Sequence, residues 1–367
     1  MKILFLSHAS LGTGFVVGSH QLSKALISNG HDVFHISSPV SLLHVFLGKQ
    51  RRDKFFYALK NRKNVHKTFG FIDFIPVCLV PMGYAKLLDA INSWLIDRQI
   101  TNHIGLDKAD LVLIDQPQLY KSLNLFSEAI KIYRPTDLYS EMGGNKFALP
   151  EIKAIEKSHG YVATSSQVDA HMQSLTDKPG ITVTNGVDYD LFCQLSSQPR
   201  QNKCVYVGAV DFRFDLQTAI ILAKNNPDIV FDYFGPVAIE LVVDLPGNIK
   251  FHGRIDYSKI PALLAQYKYS IIPMNDHKSN DGRSPMKLYE FLAAGIPVLS
   301  RKTISIHQEI PPGVLLYENN KDVLTKFSVL RKMVDEHSED EFRFIASKQS
   351  WEQKAQMILD FSHSLSN

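Results

Sequence analysis

Short apolar runs recur along this chain of 367 residues, each followed by a stretch with helical spacing, and that alternation restricts the fold more than any other feature. Lys2 to Leu6, Asp32 to Ile36, Leu111 to Ile114, Ala129 to Tyr133, Gly160 to Ala163 and Ile181 to Thr184 read as strands of one parallel sheet. Cys204 to Val207, Val230 to Phe234, Ile249 to Phe251, Tyr269 to Ile272, Ile296 to Leu299 and Gly313 to Leu316 read as strands of a second. Strands buried on both faces carry continuous apolar runs, and parallel neighbours need helical crossovers. The pattern therefore predicts an α/β protein with two doubly wound sheets. Such a length is too great for one ordinary core and fits two domains. Their expected limits are 1–188 and 200–350, joined by the polar stretch Gln194 to Asn202, with a closing amphipathic helix over 351–367.

Composition narrows the function classes. No segment offers ~18 uninterrupted apolar residues, which argues against a membrane-spanning helix. Met1 to Leu6 is cut short by Ser7-His8, with no small-residue cleavage site after it, and reads as a first buried strand rather than a signal peptide. Cys78, Cys193 and Cys204 lie far apart, without the paired spacing of a zinc site or a disulfide framework, and fit a reducing cytoplasm.

One segment carries chemistry: Arg283-Ser-Pro-Met-Lys-Leu-Tyr-Glu-Phe-Leu-Ala-Ala-Gly-Ile-Pro-Val-Leu-Ser300. Pro285 suits a first helical turn, and Gly295 with Pro297 ends the helix before an apolar strand. Lys287 and Glu290 sit three apart near the helix start, on one face and close to the unpaired N–H groups of the first turn. A helix N-terminus attracts anions. An added ammonium makes it a site for a diphosphate, and a nearby carboxylate accepts from a ribose. The same pair also fits an exposed i, i+3 ion pair of small weight.

This run resembles the donor-binding signature of GT-B glycosyltransferases, Pro-x-Lys-x-x-Glu-(Tyr/Phe)-x-Ala-x-Gly-x-Pro-Val. Asn185-Gly-Val-Asp-Tyr-Asp-Leu-Phe192 resembles their interdomain segment, Val205-Tyr-Val-Gly-Ala209 the first strand and glycine turn of their second domain, and His31-Asp-Val-Phe34 the opening of the second strand of their first. The resemblance implies the GT-B fold, two Rossmann-like domains facing a cleft, with the helix from Trp351 crossing back onto the first domain. It implies a UDP-linked nucleotide sugar held by Lys287 and Glu290, with Met286, Tyr289, Gly208, Arg254 and Arg283 around it. No cofactor and no obligatory metal ion are expected. Where the donor is a uronic acid, Arg283 or Arg254 is placed to pair its carboxylate.

Glycosyl transfer to a hydroxyl requires a base when the configuration inverts. Ile132-Tyr-Arg-Pro-Thr-Asp-Leu-Tyr139 puts Asp137 just past the carboxyl end of a strand, where ligands bind in open parallel sheets. The run resembles the Tyr-Arg-x-(Ser/Thr)-Asp of bacterial exopolysaccharide glucuronosyltransferases of the xanthan type, in which the Asp is the proposed base. Met286-Lys287 matches that group as well. Asp137 equally suits a helix N-cap. His20 is the rival base by analogy with inverting plant-type relatives, and His8 a third. Gly12, Thr13 and Gly14 form a loop that the resemblance places by the cleft, near donor phosphate or acceptor. Position 282, eight before Glu290, is Gly and not the Glu of many retaining relatives, which favours inversion. Two other classes share the architecture: a sugar-nucleotide epimerase and a non-catalytic nucleotide-binding partner of another transferase.

Lys49, Arg51, Arg52, Lys54, Lys60, Arg62, Lys63 and Lys67 crowd one stretch, interleaved with Phe55, Phe56, Tyr57 and Phe69 and opposed only by Asp53. The segment 49–67 reads either as a surface for an anionic membrane, with Phe71 to Pro81 adding apolar contact, or as a solvated basic helix. No recognisable nucleic-acid motif accompanies it. With the resemblance, the first reading implies a lipid-linked saccharide acceptor and a cytoplasmic protein, peripheral at the inner face of the plasma membrane.

Overall fold

The computed structural model describes residues 1–11, 16–60, 66–68, 70–83, 86–194, 199–241, 244–308 and 310–366. The chain divides into two compact units, Met1–Thr184 with Glu352–Asn367, and Asn185–Trp351. The first holds strands β1 (Lys2–Leu6), β2 (Asp32–Ile36), β3 (His66–Thr68), β4 (Phe71–Phe74), β5 (Leu111–Ile114), β6 (Ile130–Tyr133), β7 (Gly160–Ala163) and β8 (Gly180–Thr182). Its helices are α1 (Gly18–Ser28), α2 (Lys49–Lys60), α3 (Lys86–Gln99), α4 (Tyr139–Gly143), α5 (Asn145–Lys157) and α6 (Ser166–Leu175). The second unit holds α7 (Tyr189–Phe192), β9 (Gln201–Val207), α8 (Leu216–Asn225), β10 (Val230–Phe234), β11 (Ile249–Gly253), α9 (Ile260–Leu264), β12 (Tyr267–Ile272), α10 (Met286–Ala293), β13 (Val298–Arg301), α11 (Ile304–Gln308), β14 (Val314–Tyr317), α12 (Asp322–Glu336) and α13 (Glu339–Ser347). The closing helix is α14 (Trp351–Ser364).

Unit 1 has the sheet order β3-β4-β2-β1-β5-β6-β7-β8 and unit 2 the order β11-β10-β9-β12-β13-β14. Every pairing is parallel except that of β3 with β4. Central strands such as β5 are buried along their whole length, which is why they appear as unbroken apolar runs in the sequence.

Two expectations are corrected. The polar stretch Gln194 to Asn202 lies within unit 2: Gln201 and Asn202 begin β9, and Leu195 to Ser197 with Gln198 fall outside the described residues. Phe71 to Pro81 does not offer an apolar edge as a whole, because Phe71, Phe74, Ile75 and Cys78 are buried. β4 pairs with β2 in register, Phe34 opposite Ile72 and Ile36 opposite Phe74, so those aromatic side chains go into the sheet packing. Leu79 alone in the run stands out among the exposed large apolar residues.

Candidate active site

In unit 2 the carboxyl ends of three neighbouring strands turn on glycines. Gly208 N–H donates to the Phe234 carbonyl at 2.8 Å and Gly235 N–H to the Gly253 carbonyl at 2.7 Å. The turns at Gly208 and Gly235 admit no side chain. A Cβ on Gly208, at φ +156°, would stand 2.1 Å from Lys287 Nζ, and one on Gly235, at φ +141°, 1.9 Å from the Gly208 carbonyl oxygen. The bare backbone at Gly208 is thus what lets the Lys287 ammonium lie against the strand end.

α10 presents that lysine. Its cap position is Pro285, so the expected proline of the first turn sits one residue earlier, outside the helix. The helix closes in a Schellman arrangement: Ile296 N–H reaches the Phe291 carbonyl at 2.9 Å and Gly295 N–H the Leu292 carbonyl at 2.9 Å, with Gly295 at φ +79°. Ile296 is consumed by this turn, and β13 starts at Val298. The loop ahead of α10 is pinned by Asn185, whose amide donates to the Ser284 carbonyl at 2.7 Å and whose backbone N–H donates to Ser284 Oγ at 3.0 Å.

Lys287 is half-buried and donates to the Tyr206 hydroxyl at 3.3 Å, with Nζ over the Tyr206 ring. Loss of hydration, aided by the Arg283 guanidinium, pulls its pKa down to about 7. Glu290 is buried and accepts from the Tyr257 hydroxyl at 2.8 Å. Burial pushes its carboxyl up to about 7, against the pull of the Tyr257 bond and Lys287. Asp211 and Arg213 flank the lysine and hold each other through two hydrogen bonds of 3.1 and 2.6 Å. Met286 is half-buried, Arg283 half-buried, and Arg254 exposed just past β11. Tyr289 packs in the apolar core with Leu288 and Phe291. An ammonium with little hydration, placed at a helix start over bare backbone, favours an incoming anion such as a diphosphate.

In unit 1, Asp137 follows β6 in a half-buried bend. The cap position of α4 is Leu138, with no side-chain cap, so Asp137 is not that helix's N-cap. Behind it, Arg134 donates to Asp115 Oδ2 at 2.7 Å, both side chains almost wholly buried. His20 lies buried in the first turn of α1. The Val17 N–H donates to its Nδ1 at 3.2 Å, so the neutral ring carries its proton on Nε2, with the Ala9 backbone as its neighbour. Burial and the adjacent His35 hold its pKa well below the usual value. In that tautomer His20 offers a donor and no free lone pair. His8 is exposed at the end of β1. The Gly12-Thr13-Gly14 loop lies outside the described residues.

Beside His20, His35 Nδ1 meets Asp73 Oδ1 at 3.0 Å and its Nε2 meets Ser19 Oγ at 3.0 Å, while Ser10 Oγ and the Leu11 N–H both donate to Asp73 Oδ2 at 2.8 Å. His20, His35 and Asp73 bring possible ligand atoms within 4.8 Å of one another. Both nitrogens of His35 and both oxygens of Asp73 are already engaged, so those two residues have their ligand atoms taken up by hydrogen bonds. Sequence reasoning missed this network because His35 and Asp73 meet only through the pairing of β2 with β4. It also missed Tyr206, Tyr257 and the Asn185 to Ser284 clamp. The Tyr in Val205-Tyr-Val-Gly was the available signal for the first of these.

A glycosyl transferase-like family model matches residues 216–360, most of unit 2. Over the whole chain, sucrose-phosphate synthase from Thermosynechococcus elongatus superposes with a TM-score of 0.72 at 12% identity, covering 100% of this chain and 99% of that one. The fold is GT-B. HepE of Anabaena, solved in complex with UDP and glucose, shares this GT-B architecture with a TM-score of 0.66 at 14% identity, covering 99% of this chain and 100% of that one. In sequence, the chain is 23% identical over 249 residues to TuaH of Bacillus subtilis (strain 168), a glycosyltransferase assigned to teichuronic acid biosynthesis. That alignment covers 62% of this chain and 62% of TuaH.

Proposed function

We propose that this GT-B chain is a glycosyltransferase that moves a sugar from a UDP-linked donor to a lipid-linked saccharide in surface polysaccharide synthesis, as the xanthan-type glucuronosyltransferases do. The observation that carries the reading is the Lys287 ammonium lying against the bare Gly208 turn at the start of α10, with the buried Glu290 carboxyl one turn on. In this reading Lys287 neutralises the leaving diphosphate and Glu290 accepts from the ribose, and no metal ion is required. Solved relatives bound to UDP and to UDP-glucose support the choice of nucleotide. Asp137 is the base in this reading, supported by the Val17 N–H on His20 Nδ1, which leaves that ring its proton on Nε2 and no lone pair to take another. Inversion of configuration follows from a base-assisted single displacement.

The acceptor is argued from the surface of unit 1. Leu42, Leu43, Phe46, Leu47, Phe56 and Leu59 are exposed on and before α2, together with Arg51, Arg52 and Lys60. Arg62, Lys63 and Phe69 lie outside the described residues, and no helix among the described residues is long and apolar enough to cross a membrane. Exposed apolar side chains beside cations suit the interfacial zone of an anionic bilayer, which supports a reading of the protein as peripheral at the inner face of the plasma membrane. The test presents the full chain with a panel of radiolabelled UDP-sugars and lipid-linked saccharides on phosphatidylglycerol vesicles. Transfer to lipid from one UDP-sugar is expected. Release of an epimerised free sugar, or UDP binding without turnover of any donor, overturns the reading.

A further inference from the structure

Asp137 stands on a bend that is closed by side chains. The residues after β6 run Arg134-Pro-Thr-Asp-Leu-Tyr139 and leave the sheet beside the end of β5. Arg134 continues the ladder, its N–H donating to the Ile114 carbonyl at 2.8 Å. Asp115, the residue after β5, is tied in turn to β1 by its own N–H, which donates to the Leu6 carbonyl at 2.9 Å. Beyond Arg134 the backbone turns away from the sheet. The Tyr139 hydroxyl brings it back, donating to the Asp115 carbonyl at 2.7 Å, and Thr136 Oγ1 lies 2.9 Å from the same hydroxyl. A phenol has one proton to give, and a carbonyl has none. The Tyr139 proton therefore goes to Asp115, and Thr136 donates to the Tyr139 oxygen.

The result is a clasp from Thr136 through Tyr139 to Asp115, and Asp137 lies between the two residues of its first link. A second tie holds the other flank, where Thr164 Oγ1, just past β7, donates to the Pro135 carbonyl at 3.2 Å. Pro135, Leu138, Tyr139 and Thr164 are buried, whereas Thr136 and Asp137 are half-buried. The bend thus offers Asp137 from a packed base. The Tyr139 ring stacks on Phe147 of α5 with centroids 5.4 Å apart, which fixes the direction of the hydroxyl. Burial, reinforced by the nearby Asp137 carboxylate, holds that hydroxyl far above the usual tyrosine value, so it stays protonated and remains a donor. Since α4 starts without a side-chain cap, the ordering that a cap would give this turn is left to the clasp. Hydrogen bonds in series polarise one another, so losing the middle group loses both links.

We infer that Tyr139 is a positioning residue for the base: through Thr136 and the Asp115 carbonyl, its hydroxyl holds Asp137 in the orientation from which it deprotonates an acceptor hydroxyl. The inference rests on the reading of the chain as a transferase with Asp137 as base. A base displaced by a fraction of an ångström loses rate without losing substrate, and that separates positioning from binding.

The test compares Tyr139→Phe, which keeps the ring and removes the clasp, with Thr136→Val and Thr136→Ser. Steady-state transfer by the full chain is measured with radiolabelled UDP-sugars, UDP-glucose, UDP-galactose and UDP-glucuronate among them, against a polyprenyl-diphosphate disaccharide in phosphatidylglycerol vesicles. Tyr139→Phe and Thr136→Val are expected to lose about tenfold to hundredfold in kcat, with KM for the UDP-sugar within about twofold of wild type. Thr136→Ser, which retains a hydroxyl, is expected to stay within about threefold. Hydrogen exchange read by mass spectrometry is expected to quicken about tenfold over residues 136–139 in the first two variants and to stay unchanged in β5 and β6. Wild-type kcat in Tyr139→Phe, a loss carried by KM alone, or a Thr136→Ser variant as slow as Thr136→Val overturns the positioning role and leaves the transferase reading standing. Faster exchange throughout unit 1 overturns it as well, because the hydroxyl would then serve the fold and not the bend. A wild-type chain that turns over no UDP-sugar sinks the transferase reading, and full turnover in Asp137→Asn sinks the choice of base. Either of those takes the positioning role with it.

Discussion

Lys287 Nζ lies 4.4 Å from the centroid of the Tyr206 ring. The aromatic face and the tyrosine hydroxyl stand in for part of the water that the ammonium has lost, without neutralising it. A cation kept in this condition gains more from an arriving diphosphate than a hydrated surface lysine would.

UDP affinity should peak near pH 7 and fall on both sides. Lys287 is lowered to about 7 and loses its proton above that value, whereas Glu290 is raised to about 7 and gains one below it. Calorimetric titration across pH checks this. Lys287→Ala is expected to weaken binding about tenfold or more near neutrality and to abolish the alkaline fall, and Glu290→Gln to abolish the acid one. A flat profile in the wild type would remove both residues from the site.

Lys287→Met should stabilise the unliganded protein. The lysine must shed a proton between its unfolded value of 10.5 and about 7 in the folded state, so the unfolded chain binds more protons in that window and stability rises with pH across it. The gain from removing the charge is therefore largest below pH 7 and fades as the pH climbs towards 10.5. Thermal melts of both proteins at several pH values show whether the curves converge.

Gly208→Ala tests the strand-end turn. The new methyl would stand 2.1 Å from Lys287 Nζ and 2.8 Å from the Tyr206 hydroxyl, and the backbone at φ +156° disfavours a side chain. The lysine, being the flexible partner, swings away. UDP affinity should fall about tenfold, with a stability loss of about 1–3 kcal/mol measurable in urea.

Arg134→Ala leaves Asp115 as a buried acid without its cation, already held above the ordinary carboxylate range by burial, with Arg134 opposing. A loss of about 3–5 kcal/mol is expected. Asp115→Asn combined with Arg134→Met should recover most of it. Equal urea midpoints for Arg134→Ala and the wild type would show that the pair is not needed.

Asp137→Asn should abolish glycosyl transfer while leaving UDP affinity within about twofold. Full turnover in that variant, with loss in His20→Gln, would return the base to His20 and require its ring to change tautomer on substrate binding.

The strands were legible in the sequence because the sheets are parallel and covered on both faces, so burial leaves continuous runs such as Leu111 to Ile114. β3 and β4 escaped notice, since Phe71-Ile-Asp-Phe interrupts its apolar run with Asp73, whose burial makes sense only once His35 lies alongside. The Lys287 and Glu290 pair was legible because both sit on one helix, where spacing alone dictates proximity. Tyr206, Tyr257 and Asp73 were not. Each meets its partner through sheet order or loop closure across tens of residues, and no local pattern records such meetings. The resemblance supplied Asn185 as a motif, and the structure supplies its physical task, the anchoring of Ser284.

Val187 and Ser350 form a parallel bridge, and the Trp351 N–H returns to the Val187 carbonyl at 3.3 Å. The second unit therefore begins and ends at the same spot, like an inserted cassette, and can be cut out with its two ends already neighbours. The first unit has no such independence. Gly160, where a methyl would stand 3.0 Å from Phe361 of α14, is shaped around the distal tail, so trimming that tail should damage the half of the molecule made first, leaving the half made second intact.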